Sequence, residues 1–300
     1  MTQTLSMASD PSQKRWTQWV PWLFLAPALL VFTYFKFIPM LRGLEMSFYR
    51  VNLGAPNEWI GLENFETVLS DPNLLAAIQH TLVYAVATIS GSAVIALFLA
   101  MALQGPARHL HILRTAIFLP AVTSAAVMAE VWRVLYSPTP DGVINSLLSW
   151  FGLAQQGFLS NPHQALPALV VMGMWKAIPY DTVIFVAGLA GINSELYDAA
   201  SVDGAGFWQR FRHVTLPGLA PAIKVIATLG FIRGFRVFTE IYATTGGGPA
   251  GSTDVVMTYI YKQGFTELDY GVAAAASFLL FAFTAVATLA FLAWQRRRSL

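Results

Sequence analysis

Charged and aromatic side chains inside long apolar stretches are the groups of this chain that could do chemistry. Six of them lie on two such stretches: Trp175, Lys176, Tyr180, Arg233, Arg236 and Glu240. An ionisable group at bilayer depth costs about 3 kcal/mol unless it faces protein or water. Lys176 and Tyr180 are four residues apart and would share one helix face. Arg233, Arg236 and Glu240 would form one stripe on a second helix. We therefore predict that the two stretches line a polar path through which a hydrogen-bonding solute could pass.

The same residues also have a purely structural interpretation. Arg236 and Glu240 could form an ion pair along one helix, and Lys176 could extend its stem toward the membrane surface. Glu130 and Arg133 are three residues apart, and we interpret them as an ion pair along a helix. For Lys176 and Arg236 the two interpretations stay open.

Motifs for catalysis and for metal binding are missing from the sequence. The chain has no Cys, so it has no thiol nucleophile and no Cys-based metal site. Of the five His only His109 and His111 are close in sequence, and no H-E-x-x-H motif occurs. The glycine-rich run 246–249 lacks the Lys-Ser/Thr pair that a phosphate-binding loop needs. The sequence therefore predicts no catalytic residue and no metal site, with a membrane enzyme left as a minor alternative.

The composition indicates a lipid bilayer as the solvent. Of the 300 residues 56% are hydrophobic and only 11% are charged, against about 25% charged in soluble domains. A crossing helix needs about 20 mostly apolar residues, and backbone in a bilayer must satisfy its own hydrogen bonds. The sequence thus predicts an all-α polytopic membrane protein with six transmembrane helices, at 19–38, 78–103, 114–135, 166–192, 216–244 and 271–294.

Lys and Arg in the loops set the orientation, because cytoplasmic loops carry an excess of them. Most loop Lys and Arg lie at the two ends of the chain and in the loop 193–215, which contains Arg210 and Arg212, whereas most acidic residues lie in the other loops. This predicts a cytoplasmic N-terminal tail at 1–18, a transmembrane domain at 19–295 and a basic cytoplasmic tail at 296–300. The loops 39–77, 136–165 and 245–270 are then extracytoplasmic, and loops of this size could form a docking surface for an external partner or could be simple connectors.

The cytoplasmic loop 193–217 has the pattern of two short helices around a turn. Asn193 or Ser194 can cap a helix that begins at Glu195. Gly204 follows where the backbone must reverse, and Pro217 is tolerated in the first turn of the next span. The apolar face of this unit would belong neither to the bilayer nor to water, which predicts contact with another protein.

Three groups of motifs connect the chain to a known family. Residues 198–217 contain Asp198-Ala199-Ala200, then Gly204, and finally Val214 and Leu216-Pro217. This spacing closely resembles the Glu-Ala-Ala loop of the membrane subunits of binding-protein-dependent ABC importers, with Asp198 for the usual Glu and Val214 for the usual Ile. The run 59–65 resembles the W-x-G-L-x-N-[YF] signature of the sugar-type permeases, and residues 245–249 are similar to the same subfamily. The resemblance covers about residues 20–295.

The resemblance implies an ABC type I importer permease fold and a subunit that forms half of a path for a sugar, an oligosaccharide or a glycerol derivative. In that family the loop docks into a groove on a cytoplasmic ATPase. The residues expected to make this contact are Asp198, Ala199, Ala200, Gly204, Phe207, Leu216 and Pro217. The resemblance also implies that the sugar contacts lie on the fourth and fifth spans.

The same resemblance implies that the chain is no enzyme and binds no cofactor, because ATP and Mg²⁺ are held by the partner ATPase. The expected partners are a second, non-identical permease subunit, two copies of the ATPase, an extracytoplasmic sugar-binding protein and the lipid bilayer. The net charge of +2 is too small to indicate nucleic acid. The expected location is the cytoplasmic (inner) membrane of a bacterium or archaeon. A transporter that works alone is the alternative, and it should show related halves or interrupted helices; the sequence reveals neither.

Overall fold

The computed structural model describes residues 11–52, 54–103 and 108–297, so residues 1–10 and 298–300 of the two predicted tails lie outside it. The fold is helical apart from one short hairpin. Its helices and strands are α1 (Pro11–Phe32), α2 (Ile38–Met46), β1 (Tyr49–Arg50), β2 (Glu58–Trp59), α3 (Glu63–Ser70), α4 (Pro72–Ala102), α5 (Arg108–Val122), α6 (Ala125–Leu135), α7 (Val143–Trp150), α8 (Pro162–Ala190), α9 (Ser194–Val202), α10 (Phe207–Arg210), α11 (Leu216–Gly218), α12 (Ala220–Phe235), α13 (Thr239–Thr244), α14 (Val256–Tyr261) and α15 (Tyr270–Arg297). Three π-helical turns, Thr33–Phe37, Phe211–Thr215 and Lys262–Thr266, and one 3₁₀ turn, Phe158–Ser160, complete them.

Four helical segments are long and apolar enough to cross a bilayer by themselves. They are Val20–Met46, Pro72–Ala102, Pro162–Ala190 and Tyr270–Trp294, and they confirm four of the predicted spans. Asp71 begins the second of them, because its side chain accepts a hydrogen bond from the backbone N–H of Asn73 at 2.8 Å. Asn161 caps the third in the same way through His163 at 2.9 Å.

The predicted third span is interrupted, so the expectation of one continuous helix over 114–135 was wrong. Its two parts, Ile112–Val122 and Ala125–Leu135, meet at 104°. Ser124 has extended backbone at the break and caps α6 by accepting a hydrogen bond from Val127. Pro120 lies just before the break and has no N–H to continue the helical ladder.

The predicted fifth span is interrupted twice. Phe207–Gly218 and Ala220–Phe235 meet at 61°, with Pro217 and Pro221 on either side of the bend. The helix then ends at Phe235, and α13 starts only at Thr239. If each bent pair counts as one span, the described part of the chain has up to six, as predicted.

The central helices α4, α8 and α12 pack closely together because small residues lie between them. A Cβ atom on Gly234 of α12 would be 2.5 Å from the Cβ of Ala85 on α4. A Cβ atom on Gly173 of α8 would be 2.9 Å from the Cζ of Tyr84. Such distances leave room for no side chain larger than hydrogen, so both glycines set the separation of the helix axes.

Buried side chains form three clusters along these helices. One cluster joins α4, α6, α8 and α13 through residues such as Met128, Leu169 and Ile241. A second cluster joins α8, α12 and the end of α4 through Phe185 and Leu219. The third packs α3 and α14 on α4 and α15, and its members include Val68, Ala77, Val256, Tyr259 and Val272.

The segments predicted to be extracytoplasmic are held to one another by polar contacts. The hairpin pairs Tyr49 with Trp59, and Arg50 bridges it to α3 through Glu63 at 2.8 Å. Tyr259 donates a hydrogen bond to Asp71 at 2.8 Å. Burial, followed by this contact, raises the pKa of Tyr259, so the phenol keeps its proton and remains a donor.

Candidate functional site

A cavity of about 430 Å³ lies between α4, α8, α12 and the segment that follows α12. Five of the six residues predicted to line a path are on its wall: Lys176, Tyr180, Arg233, Arg236 and Glu240. The helix α4 adds Tyr84, Thr88 and Ser92, which the sequence did not single out. Three spans thus bring polar groups to one place. Whether these groups contact a solute stays a prediction.

An ion pair between two spans lies on one side of the cavity. Lys176 on α8 donates to Glu240 on α13, and the two side chains are 31% and 16% exposed. The structural alternative of an Arg236–Glu240 pair is therefore wrong, since Glu240 bonds to the neighbouring helix instead. The Lys176 side chain pairs with Glu240 within the protein, rather than extending toward the membrane surface.

A second ion pair joins α8 to α12. The carboxylate of Asp181 is fully buried and accepts hydrogen bonds from Arg233 at 2.7 Å and from Ser92 at 2.7 Å. This contact links three helices through one side chain. Sequence reasoning gave Asp181 no role, although a carboxylate inside an apolar stretch is itself a sign of a partner.

The predicted stripe of Arg233, Arg236 and Glu240 on one continuous helix is wrong. The helix α12 ends at Phe235, and Arg236 is its C-terminal cap with φ −104° and ψ 12°. Glu240 lies on α13, after the break. All three residues nonetheless line the cavity, so the break between α12 and α13 does not separate them.

Trp175 and Tyr180 have different environments. Trp175 is not among the lining residues; it packs beside the cluster around Met172 and makes an edge contact with Trp132 at 5.9 Å. Tyr180 lies on the cavity wall and donates a hydrogen bond to the backbone carbonyl of Ala121 at 3.2 Å. It thereby connects α8 to the end of α5.

The predicted pair of Glu130 and Arg133 is confirmed, with a distance of 2.6 Å. Arg133 also donates to the backbone carbonyls of Ala243 at 2.5 Å and Thr244 at 3.1 Å. These carbonyls end α13, and a guanidinium at a helix C-terminus is favourable. Arg133 therefore fixes the short helix that carries Glu240, a role that spacing along α6 alone does not reveal.

The loop 193–217 folds as the predicted pair of short helices around a turn. Asn193 caps α9 by accepting from Glu195 at 3.1 Å. At its end Ala205 donates to Ala200 at 2.9 Å and Gly204 to Ser201 at 3.1 Å, the two bonds of a Schellman motif. Gly204 has φ +73°, where a residue without a side chain is favoured.

Two hydrogen bonds hold the two halves of this loop together. Tyr197 on α9 bonds Thr215 at 3.0 Å, and Arg210 on α10 donates to Ser201 at 3.1 Å. The predicted coupling residues remain accessible on the outside: Asp198, Ala199, Gly204, Phe207, Leu216 and Pro217 are exposed, and Ala200 is half-buried. Exposed Val202 and Trp208 extend this apolar surface, and sequence reasoning missed both. The contact of this surface with an ATPase stays a prediction.

Among the described residues, no three His, Cys, Asp or Glu side chains come close enough together to hold a metal ion. The charged groups of the cavity are instead arranged mainly in pairs of opposite sign. Such a site can donate and accept hydrogen bonds and can hold charge.

A family model described as binding-protein-dependent transport system inner membrane component matches residues 92–299 of the chain. The arabinooligosaccharides transport system permease protein AraP of Halalkalibacterium halodurans is 33% identical over 263 residues, which cover 87% of this chain and 83% of that protein. The sn-glycerol-3-phosphate transport system permease protein UgpA of Brucella abortus is 34% identical and covers 88% of this chain and 90% of its own length. The lactose transport system permease protein LacF of Rhizobium radiobacter is 31% identical, covering 98% and 99%.

Solved structures of ABC transporters are also similar to this chain. A bacterial ABC transporter involved in the import of the acidic polysaccharide alginate has a chain with a TM-score of 0.81 and 28% identity, and the match covers 96% of this chain and 99% of that one. A bacterial alginate ABC transporter in complex with an alginate pentasaccharide-bound periplasmic protein matches with a TM-score of 0.81 and 27% identity, over 95% and 96%. The predicted ABC type I importer permease fold is thereby confirmed. The chain belongs to the family of binding-protein-dependent transport system inner membrane components, and it is an integral inner-membrane permease subunit.

Proposed function

We propose that the chain is the permease subunit of an ATP-driven carbohydrate importer in a bacterial inner membrane, in which it forms half of the translocation path. The observation that carries this proposal is the cavity between α4, α8 and α12, because apolar stretches place charged and hydroxyl groups on its wall. The relatives are named for arabinooligosaccharides, lactose and sn-glycerol-3-phosphate, and the similar structure is an importer of alginate. Three of these four solutes are carbohydrates, and the fourth is a glycerol derivative.

Passage of a sugar through the cavity would use hydrogen bonds and ring contacts. Lys176 and Glu240 offer donors and an acceptor on one side, while Tyr84 and Tyr180 present aromatic rings. Sugar hydroxyls can hydrogen-bond to Lys176 or Glu240 while the ion pair stays intact, so that neither charge loses its partner. Trp175 would act only indirectly, by packing behind the cavity wall.

Energy for transport would come from other chains. The chain would hydrolyse no ATP and hold no cofactor, since ATP and Mg²⁺ would bind to two copies of a cytoplasmic ATPase. Support comes from the loop 193–217, whose turn and apolar side chains are exposed on the surface of the chain. A second, non-identical permease would complete the path, and an extracytoplasmic sugar-binding protein would deliver the cargo. The domain boundaries 1–18, 19–295 and 296–300 belong to the same proposal.

A transporter that works alone is the second candidate, because interrupted helices are typical of such proteins and two spans are interrupted here. The sequence did not reveal these interruptions, so their absence from the sequence analysis does not argue against a transporter that works alone. Family membership and the exposed coupling loop favour the ATP-driven importer.

Reconstitution tests the proposed function. The chain would be co-expressed with the proposed partner permease, ATPase and binding protein, and carbohydrate uptake into proteoliposomes would be followed with and without ATP. We expect the ATPase to co-purify and uptake to require both ATP and the binding protein. Uptake by this chain alone, or no carbohydrate uptake by the complete complex, contradicts the proposal.

The variant Glu240→Ala should slow uptake more than it lowers assembly. Removing this carboxylate leaves Lys176 without its partner on the cavity wall, although the cavity gives the ammonium some access to water. We expect roughly a ten-fold loss of uptake, equivalent to about 1.4 kcal/mol, with near-normal amounts of complex in the membrane. Uptake kinetics and immunoblots of purified complex measure the two effects, and Glu240→Asp should restore part of the rate. Unchanged kinetics would remove Glu240 from the path.

A further inference from the structure

The charges on the cavity wall do not balance. Three cations, Lys176, Arg233 and Arg236, line the cavity, and the carboxylates beside them are Glu240 and the buried Asp181. Lys176 pairs with Glu240, and Arg233 pairs with Asp181. Within the part of the chain that the structure describes, Arg236 forms no ion pair, so one positive charge of the wall is left over.

Arg236 is held where it can use this charge. It caps the C-terminus of α12, and the dipole at that end of a helix favours a cation. Its side chain is exposed on the cavity wall. A guanidinium keeps its proton under all ordinary conditions, so this positive charge on the wall is permanent. An anion from outside the chain is the group that would compensate it.

The geometry of a guanidinium narrows the chemistry of that anion. Its five N–H donors form a planar fork that matches two oxygens of a carboxylate or a phosphate. A sugar hydroxyl would accept a single hydrogen bond from the guanidinium and has no charge to compensate it, whereas an oxyanion can accept two parallel bonds and is itself negatively charged. The carboxylates already on the wall are occupied, so a negatively charged solute would meet Arg236 without displacing an existing pair.

We propose that Arg236 makes this path selective for carbohydrates that carry an oxyanion, either a carboxylate or a phosphate. The inference rests on the proposed carbohydrate import and goes beyond it by naming the charge of the cargo and the residue that reads it. Lys176, Arg233 and Glu240 then shape the wall, and Arg236 determines specificity.

Equilibrium binding without the binding protein tests the proposal, because the selectivity of that protein then does not enter. The complete permease–ATPase complex in nanodiscs would be titrated with digalacturonate and galactobiose, and with galactose 6-phosphate and galactose. We expect at least one acidic sugar to bind roughly 10- to 100-fold more tightly than its neutral counterpart. The two acidic probes separate carboxylate from phosphate.

Variants of Arg236 test whether this residue causes the preference for acidic sugars. Arg236→Gln should abolish the difference between acidic and neutral sugars, whereas Arg236→Lys should keep part of it. Arg42→Gln is the matched control, since Arg42 is an exposed arginine on α2, away from the cavity, and it should change nothing. Three results would overturn the inference: acidic and neutral sugars bind equally, neither binds, or the preference for acidic sugars survives in Arg236→Gln. If one of these results is found but the complex still imports a carbohydrate, the proposed function stands. If the complex imports no carbohydrate, the proposed function and the inference are both overturned.

Discussion

Replacing Gly204 with glutamate is expected to abolish carbohydrate uptake while the chain stays folded in the membrane. Gly204 has φ +73° at the end of α9, and a Cβ atom added there would meet nothing within 4 Å. The left-handed backbone costs a residue with a side chain roughly 1–2 kcal/mol, a local strain that leaves the membrane helices in place. A bulky charge would instead project from the surface that we propose to dock the ATPase. Uptake in whole cells and the amount of chain in membranes measure the two effects separately.

Gly152 provides a matched control for this experiment. It also has a positive φ, +69°, and also has nothing within 4 Å of an added Cβ. It follows α7 in a loop that we predict to be extracytoplasmic, so Gly152→Glu introduces the same strain and charge on the opposite side of the membrane. We expect Gly152→Glu to retain most of the uptake and to co-purify with the ATPase. Normal uptake in Gly204→Glu would count against the docking role of the loop 193–217.

Asp181→Asn should cause the largest loss of stability among single substitutions in the two ion pairs beside the cavity. The variant keeps the shape of the side chain and removes the charge that compensates Arg233. Breaking a buried ion pair typically costs about 3–5 kcal/mol, because the remaining charge is left without a partner. Since Arg233 is 40% exposed, it can reach water in the cavity, and we expect about 3 kcal/mol or less. Thermal unfolding of the detergent-solubilised complex measures the effect.

The double variant Asp181→Asn with Arg233→Gln separates the lost pair from other causes. It leaves neither charge behind, so much of the stability lost in the single variant should return. Ser92 keeps an acceptor in both variants, because the amide side chain introduced by Asp181→Asn retains a carbonyl oxygen. If the single variant unfolds at the temperature of the unsubstituted complex, or if the double variant is less stable than both single variants, the pair does not stabilise the helices as argued.

The sequence was sufficient to locate the membrane helices but not to predict where they are interrupted. A long apolar run is visible by composition alone, which is why four spans appear where they were expected. The break in the third span depends on Ser124, a good capping residue whose type alone does not distinguish a break from a continuous helix. The break after Phe235 has no proline beside it, and α13 beyond it is held by Arg133 from a distant helix. Contacts of that kind are not encoded in local spacing.

In the candidate site, too, features set by local spacing were predicted, whereas contacts between distant helices were not. Periodicity brought Lys176 and Tyr180 to one face of α8, and both line the cavity. Pairing across helices was the part that failed, because it depends on how α8 is rotated against α12 and α13. Glu240 therefore bonds Lys176 rather than Arg236, and Asp181 holds Arg233.

The first helix and the turn of the loop 193–217 are the opposite case, because their capping bonds join neighbours in sequence. Asn193 accepts from Glu195, and Gly204 donates to Ser201. A capping residue and a glycine at the right distance from it are therefore sufficient to define the first helix and its turn. Spacing alone predicted the shape of this loop.

The glycine contacts between α4, α8 and α12 limit how an importer of this kind could change shape. With Gly173 against Tyr84 and Gly234 against Ala85, close packing resists sliding of the three helices along one another. We expect the three helices to move together. Opening and closing of the path would then take place at the joints between helices, at residues 123–124, at Leu219 and at 236–238. The last of these joints contains Arg236, so the motion that admits the cargo would also carry the residue that recognises it.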